Sequence, residues 1–246
     1  MALQEEFEKT GDYFFRWRSY LPLVMAGLFI LAVAQFRYPF ANRGLNLAWD
    51  AGCLALALVG QVVRFFTVGF VPRGTSGRNT RGQVADTLNT TGMYAVVRNP
   101  IYLGNFIIWF GLSLFVKSVW FTTTIVLFFI IFYERIIFRE EGFLREKFGD
   151  AFRQWADATP AIIPKFRNWR PPSLPFSFKS AIVREYGTFF AIITTFTVLE
   201  VLAGLCNYGT LMIEAIWVKL FIFSGVLYLT IRYLKKKTKV LATDNR

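Results

Sequence analysis

The chain contains no histidine, few cysteines and little charge. Its 246 residues include 2 Cys, and Asp, Glu, Lys and Arg together make up 18%. The absence of histidine excludes imidazole-ligated metals, a histidine general base and every Ser-His-Asp or Cys-His scheme. Cys53 and Cys206 both lie in apolar stretches, so the sequence supports neither a disulfide framework nor a cysteine-ligated zinc site. We therefore expect no metal centre.

Apolar residues, in contrast, are abundant. They make up 54% of the chain, with 28 Phe among them, and such a composition favours a membrane protein over a soluble domain. Six predominantly apolar stretches have the length needed to cross a bilayer core of about 30 Å. They are residues 19–36, 47–70, 100–116, 118–138, 186–206 and 211–234. We therefore predict an all-α, polytopic transmembrane helix bundle with about six spans.

The net charge of +12 is concentrated on one side of this predicted bundle. Of the 28 Lys and Arg residues, 22 fall in the N-terminal segment, the 72–98 and 139–187 loops and the C-terminal segment counted from Arg232. By the positive-inside rule this face, with both termini, is cytosolic. Because the basic residues flank apolar spans, we expect contact with the bilayer and no nucleic-acid partner. The lack of disulfides and organellar signals favours a bacterial inner membrane.

The segment 139–169 has the pattern of a cytosolic amphipathic helix at the membrane interface. Apolar residues recur in it at helical spacing, namely Phe143, Leu144, Phe148, Phe152 and Trp155. Three prolines then interrupt the chain, at positions 171, 172 and 175. We therefore divide the chain into a membrane core, 1–170, and a C-terminal transmembrane hairpin with a basic tail, 171–246.

Glu200 and Lys219 are charged residues within the apolar spans of this C-terminal hairpin. Glu200 precedes the 207–210 turn and Lys219 follows it. With a rise of 1.5 Å per residue, the two side chains are at similar depths in the membrane. Since charged side chains avoid lipid, we expect them to face each other or the core.

The third span begins with an Arg-Asn-Pro sequence. Pro100 suits the first position of a helix, where its missing N–H costs nothing. Arg98 and Asn99 then lie at the positive end of the helix, which attracts anions such as a ligand carboxylate. The alternative is an arginine that extends to the membrane surface beside a capping turn. The pattern alone leaves both interpretations open.

The fourth span is followed by two adjacent carboxylates, Glu140 and Glu141. Such a pair at a membrane exit suits a ligand ammonium group. The alternative is a solvated turn in which Glu141 pairs with Arg145 four residues later, and the pattern alone favours this alternative.

Arg64 lies inside the second span, where an ionisable residue is a functional candidate. Several other arginines lie near the predicted cytosolic boundary and suit an anionic headgroup: Arg73, Arg78, Arg81, Arg135 and Arg139. General attraction to anionic lipid is an equally good explanation of these charges.

Three motifs occur in order along the chain: Tyr94-x-x-x-Arg98-Asn99-Pro100-x-Tyr102-Leu103-Gly104, Glu140-Glu141-x-x-Leu144-x-x-x-Phe148-Gly149 and Pro160-x-x-Ile163-Pro164. Over about residues 50–168 they resemble the isoprenylcysteine carboxyl methyltransferase and phospholipid methyltransferase family. The resemblance implies a transmembrane helix bundle in which cytosolic loops and an amphipathic helix close a pocket for S-adenosylmethionine. The family usually has His where this chain has Asn99, which forms hydrogen bonds but does not titrate.

The resemblance also implies roles for individual residues. Its cofactor-binding positions are occupied here by Tyr94, Arg98, Asn99, Tyr102, Gly104, Glu140, Glu141 and Ile163. As candidate catalytic residues we name Arg64, Arg98 and Arg135. As candidate substrate-binding residues we name Arg64, Arg73, Arg78, Arg81 and Arg139.

The acceptor implied by the resemblance is a membrane lipid. Because the chain has no histidine to take up a proton, we expect O-methylation of an acidic group, such as a lipid phosphate or a prenylcysteine carboxylate. Alternatives are phospholipid N-methylation, an NADPH-dependent sterol-type reductase and a small transporter or scaffold. The acidic pair at 140–141 disfavours the reductase, because it is a poor neighbour for nucleotide phosphates.

Two reporter fusions test the predicted orientation. Alkaline phosphatase needs disulfides, which form outside the cytosol, so we expect it to be active when it is inserted in the 207–210 turn. Green fluorescent protein fused after the basic tail should fluoresce, because that tail is predicted to be cytosolic. The reverse pattern of activity and fluorescence would contradict the orientation.

Overall fold

The computed structural model describes residues 3–17, 20, 27–29, 31–33, 42–72, 85–211 and 213–241. The regular structure within these ranges is helical, which confirms the predicted all-α fold. The helices are α1 (Leu3–Trp17), α2 (Arg43–Gly69), α3 (Met93–Val96), α4 (Pro100–Phe115), α5 (Val119–Phe148), α6 (Asp150–Ala158), α7 (Phe178–Tyr208) and α8 (Ala215–Lys237), with a 3-10 turn at Phe166–Asn168.

Four helices, α2, α5, α7 and α8, are long and apolar enough to cross a membrane, and α4 is a shorter apolar helix. The chain is therefore an integral membrane protein, and these five helices match five of the predicted spans. The first predicted span, 19–36, lies mostly outside the described residues. Helix α5 continues to Phe148, beyond the predicted end at 138, so the two glutamates at 140 and 141 lie within a helix.

Helices α2 and α4 pack closely because glycines remove side chains from their interface. A Cβ atom added at Gly60 would lie 2.5 Å from the carbonyl oxygen of Gly104, and one added at Gly111 would lie 2.7 Å from that of Cys53. Small residues permit this close approach of helix backbones in membranes. Helix α7 packs against α2 and α8, and α1 packs against α5. The division of the chain at residue 170 remains a prediction. Helix α7, which follows this boundary, packs against α2, which precedes it.

At the end of the bundle opposite the α4 start, a buried ion pair holds the turn between α4 and α5. Lys117 Nζ lies 2.6 Å from Asp50 Oδ1, and the two side chains are 2% and 7% exposed. Lys117 has a φ of 60°, a left-handed conformation that is uncommon outside glycine. Lys117 thus combines an ion pair to Asp50 on α2 with a backbone conformation that lysine does not favour.

The prediction that Glu200 and Lys219 face each other or the core agrees with the structure for Glu200 and is wrong for Lys219. Glu200 is buried, with 5% exposure, whereas Lys219 is exposed on α8. The buried residue of this part of α8 is Trp217. Two residues advance about 200° around a helix, so Lys219 lies nearly opposite the face that packs on the bundle.

The predicted amphipathic helix is present as α6, but its apolar side packs against the protein. Phe152 is 1% exposed, and Trp155 Nε1 donates a hydrogen bond to the carbonyl oxygen of Tyr94 at 3.0 Å. Both residues therefore contact the protein, and contact of this helix with the membrane interface stays a prediction.

The glycine contact between α2 and α4 can be tested with two substitutions in the same helix. We expect Gly60→Ala to lower stability by about 1–3 kcal/mol, because the added methyl group meets backbone atoms of α4. Gly52→Ala is the matched control, since a Cβ there meets nothing within 4 Å. Thermal unfolding in detergent measures both changes, and equal melting temperatures would contradict the packing.

The packing of α6 can be tested with two phenylalanines. Phe152→Ala should cost about 3–5 kcal/mol, because it leaves a cavity beneath α6. Phe166→Ala removes a side chain that is 73% exposed, and we expect a change within about 0.5 kcal/mol. Thermal unfolding again provides the comparison, and a neutral Phe152→Ala would show that α6 is not docked.

Candidate functional site

The start of α4 is held by the segment that follows α6. The backbone N–H of Arg98 donates a hydrogen bond to the carbonyl oxygen of Pro160 at 2.9 Å. Asn99 Nδ2 donates to the carbonyl oxygen of Ala161 at 3.1 Å. The first and third sequence motifs therefore lie side by side at the end of the bundle where α4 begins.

An ion pair joins the first motif to the second. Arg98 Nε lies 2.8 Å from Glu141 Oε1, and the two side chains are 18% and 19% exposed. Arg98 Nη1 also donates to the carbonyl oxygen of Ala156 on α6 at 2.6 Å. Glu141 thus pairs across helices with Arg98, whereas the alternative interpretation paired it with Arg145.

Arg98 and Glu141 form an ion pair, but the geometry of their contact is not that of a hydrogen bond. Arg98 Nε and Glu141 Oε1 are both buried, and neither atom forms a hydrogen bond of acceptable geometry. A buried donor and a buried acceptor of opposite charge thus have hydrogen-bonding capacity that the protein does not use.

The second carboxylate is held by a tyrosine. Tyr102 Oη on α4 donates a hydrogen bond to Glu140 Oε1 on α5 at 2.7 Å. The ring of Tyr102 packs against that of Tyr133, with ring centroids 4.7 Å apart. The two glutamates of the second motif therefore contact two different residues of the first.

Tyr94 lies beside these residues on α3. Burial of its hydroxyl raises the pKa of Tyr94 above the usual range; the charge of Arg184 opposes this shift and that of Glu140 adds to it. The hydroxyl therefore stays protonated at physiological pH and is available as a hydrogen-bond donor.

Arg64 has its charge compensated inside the bundle. Its Nε and Nη2 atoms lie 2.9 and 2.7 Å from Glu185 Oε2 and Oε1 on α7. Its Nη1 atom donates to Asn105 Oδ1 on α4. Gly104 lies beneath this arginine, because a Cβ added there would be 2.5 Å from Arg64 Cγ. In the structure Gly104 provides space for Arg64 and for the approach of α2.

Arg135 and Arg139 face α1. The guanidinium carbon of Arg135 lies 3.4 Å from the centroid of the Phe7 ring, and Arg139 Nε lies 2.6 Å from Asp12 Oδ1. Arg135 follows Tyr133 by two residues, or about 200° around the helix. These arginines are therefore on the side of α5 away from Tyr102.

The structure thus brings together most of the predicted cofactor-binding residues: Tyr94, Arg98, Asn99, Tyr102, Glu140 and Glu141. Ile163 follows the segment that contacts Asn99, and its side chain is 79% exposed. Arg73, Arg78 and Arg81 lie outside the described residues. In the part of the chain that the structure describes, no group of three Cys, Asp or Glu residues has the arrangement of a metal site.

Three residues next to the site were missed from the sequence. Asn105 and Tyr133 connect the site to Arg64, since Asn105 Nδ2 donates to Tyr133 Oη at 3.2 Å. Asn105 is a polar residue in an apolar span, and this pattern, which marked Arg64 as a functional candidate, also applied to Asn105. Glu185 had little signal, because it lies one residue before the predicted span that begins at 186.

Comparison with known proteins identifies one family. Residues 51–151 match the family model described as phospholipid methyltransferase. The nickel-cobalt-cadmium resistance protein NccN of Alcaligenes xylosoxydans xylosoxydans is 29% identical over 125 residues, which are 51% of this chain and 58% of that protein. The cobalt-zinc-cadmium resistance protein CzcN of Cupriavidus metallidurans is 33% identical over 92 residues, 37% of this chain and 42% of that protein.

The chain spans about half the length of these curated relatives. No solved structure matches it with statistical significance. The family match ends before the Pro160-x-x-Ile163-Pro164 motif but includes the first two motifs. Residues 51–151 therefore resemble the phospholipid methyltransferase family, and the resemblance predicted from the motifs is confirmed over this segment.

Proposed function

We propose that the chain is an integral-membrane methyltransferase that uses S-adenosylmethionine and acts on a lipid-embedded acceptor. The observation that carries the proposal is the Arg98–Glu141 ion pair, which joins the residues just before α4 to α5 within the segment that matches the family model. When bound, S-adenosylmethionine supplies an activated methyl group and presents a carboxylate and an ammonium. A guanidinium suits the carboxylate, and a glutamate suits the ammonium.

The residues present fit such a zwitterionic ligand. Arg98 Nε and Glu141 Oε1 are buried without hydrogen-bond partners, so each has a hydrogen bond to offer. A zwitterion that replaces their mutual contact at 2.8 Å leaves both charges compensated, which avoids the large cost of a single uncompensated buried charge. The α4 N-terminus adds positive potential on the Arg98 side, where the carboxylate would bind.

The location of these residues favours an acceptor that stays in the bilayer. They lie at the ends of apolar helices, where a water-soluble cofactor and a lipid each reach the site from their own phase. Exposed apolar side chains of Ile162 and Ile163 flank the site, with 60% and 79% exposure. We infer that the protein acts mainly by holding the acceptor atom close to the methyl group and in line with it. The basic face of the bundle, with both termini, is cytosolic in this proposal.

We favour an acidic acceptor, such as a lipid phosphate or a prenylcysteine carboxylate. An ionised oxygen attacks without first losing a proton, so it needs no general base, which accords with a chain without histidine. Arg64 and Arg139 have internal carboxylate partners. We therefore assign recognition of an anionic headgroup to Arg73, Arg78 and Arg81.

Phospholipid N-methylation is the second candidate, and one observation favours it. Glu140, held by Tyr102, gives the site a carboxylate that suits the ammonium of an ethanolamine lipid.

Methyl transfer by the purified protein in nanodiscs, with phosphatidic acid, a prenylcysteine or phosphatidylethanolamine as acceptor, separates the two candidates. Transfer to phosphatidylethanolamine alone would exclude the acidic acceptor.

Calorimetric titration tests the cofactor assignment. We expect S-adenosylhomocysteine to bind the wild-type protein and NADPH not to bind. Glu141→Gln should weaken binding about 10- to 100-fold, because a hydrogen bond to a charged group contributes about 1.5–3 kcal/mol. Glu146→Gln changes an exposed glutamate of the same helix and should have no effect. Absence of binding to the wild type, or equal weakening by both variants, would contradict the assignment.

A further inference from the structure

We infer that Glu185, on the C-terminal hairpin, is a positioning residue for the site formed by α4 and α5. The inference rests on the proposed function for its biological meaning. Glu185 is 3% exposed and lies outside the segment that matches the family. Its carboxylate binds Arg64 through both oxygens, and Gln61 Nε2 also donates to its Oε2 at 3.2 Å. Three of its contacts are therefore to α2, within the family segment.

From Arg64 the contacts continue into the site. Arg64 Nη1 donates to Asn105 Oδ1, and Asn105 Nδ2 donates to Tyr133 Oη. This uses both ends of the Asn105 amide, so its orientation is fixed by Arg64 on one side and Tyr133 on the other. A helix on each side of α4 is thereby connected through one side chain.

The last contacts reach the predicted cofactor-binding residues. The Tyr133 ring stacks at 4.0 Å on Phe129 and packs against Tyr102, and Tyr102 holds Glu140. The connected residues are Glu185, Arg64, Asn105, Tyr133, Tyr102 and Glu140, which we call the α7-to-site network. It joins α7, α2, α4 and α5 in one continuous set of contacts.

The carboxylate charge of Glu185 is what keeps this network in place. The Arg64 side chain is 11% exposed, so without Glu185 its charge would be uncompensated in a medium of low polarity. The guanidinium would then move toward water or toward other acceptors and release Asn105. We therefore expect the loss of this charge to change the positions of Tyr133 and Tyr102, which lie beyond the residues that the Glu185 carboxylate itself binds.

A purely structural ion pair is the competing explanation, and a double variant separates the two. Replacing a buried ion pair with apolar residues of similar size is often neutral or stabilising. Arg64→Met with Glu185→Leu should therefore restore the melting temperature that Glu185→Gln lowers. If Glu185 acts by positioning, S-adenosylhomocysteine should still bind about tenfold or more weakly in the double variant, because Asn105 has lost its partner. Glu185→Asp, which keeps the charge, should recover part of the affinity.

The control is another ion pair between the hairpin and the core. Arg43 Nη2 and Glu214 Oε1 lie 2.7 Å apart, with 83% and 39% exposed side chains, at the opposite end of the bundle. Glu214→Gln should leave S-adenosylhomocysteine affinity unchanged. Wild-type affinity in the double variant, or an equal loss with Glu214→Gln, would overturn the inference.

Hydrogen exchange measured by mass spectrometry keeps this inference separate from the proposed function. In Glu185→Gln we expect faster exchange than in the wild type in peptides of 100–106 and 133–141. In Glu214→Gln we expect the exchange of these peptides to be unchanged. Unchanged exchange in Glu185→Gln would overturn the network whatever the protein binds. Faster exchange in a protein that does not bind S-adenosylhomocysteine would support the network and refute the proposed cofactor.

Discussion

Compensation of charge inside an apolar helix bundle is the constraint on which this structure depends. An isolated charge in a medium of low polarity costs many kcal/mol, and removing one partner of a buried pair leaves that cost uncompensated. Arg64 with Glu185 and Lys117 with Asp50 are two such pairs, one toward each end of α2. Together they determine which helices are neighbours of α2 and at what height along it. Gly60 and Gly104 then permit the close approach that these pairings need.

The features that could be predicted from the sequence depend on local pattern. Hydropathy gave the apolar spans, and the order of the motifs indicated that Arg98 and Glu141 belong to one site. Contacts between distant residues could not be predicted, because spacing does not tell which helices are adjacent. Arg64 and Glu185 are 121 residues apart, and Arg139 and Asp12 are 127 apart. The full length of α5 could not be predicted for the same reason, since its last turns are polar and are held by contacts with other segments.

The distribution of the arginines changes the picture of the site. The sequence predicts a cluster of arginines that could bind an anionic headgroup. In the structure Arg64, Arg135 and Arg139 have partners within the protein, and among the described arginines Arg98 has a buried donor atom, Nε, without a hydrogen bond. The asymmetry has a physical cause, because arginines within apolar spans need compensation whether or not a ligand is bound. In the proposed function, recognition of a ligand is left to groups at the helix ends, where water, lipid and the helix terminus meet.

The long separation between Arg64 and Glu185 also has a consequence for how the protein is made. Ribosomes add about 5–20 residues per second, so the carboxylate follows the guanidinium by about 6–24 s. During this interval the positive charge of Arg64 on α2 has no carboxylate partner. Water, headgroups or the insertion machinery must solvate that charge until α7 arrives. The C-terminal hairpin thus completes the insertion of a helix that was synthesised long before it.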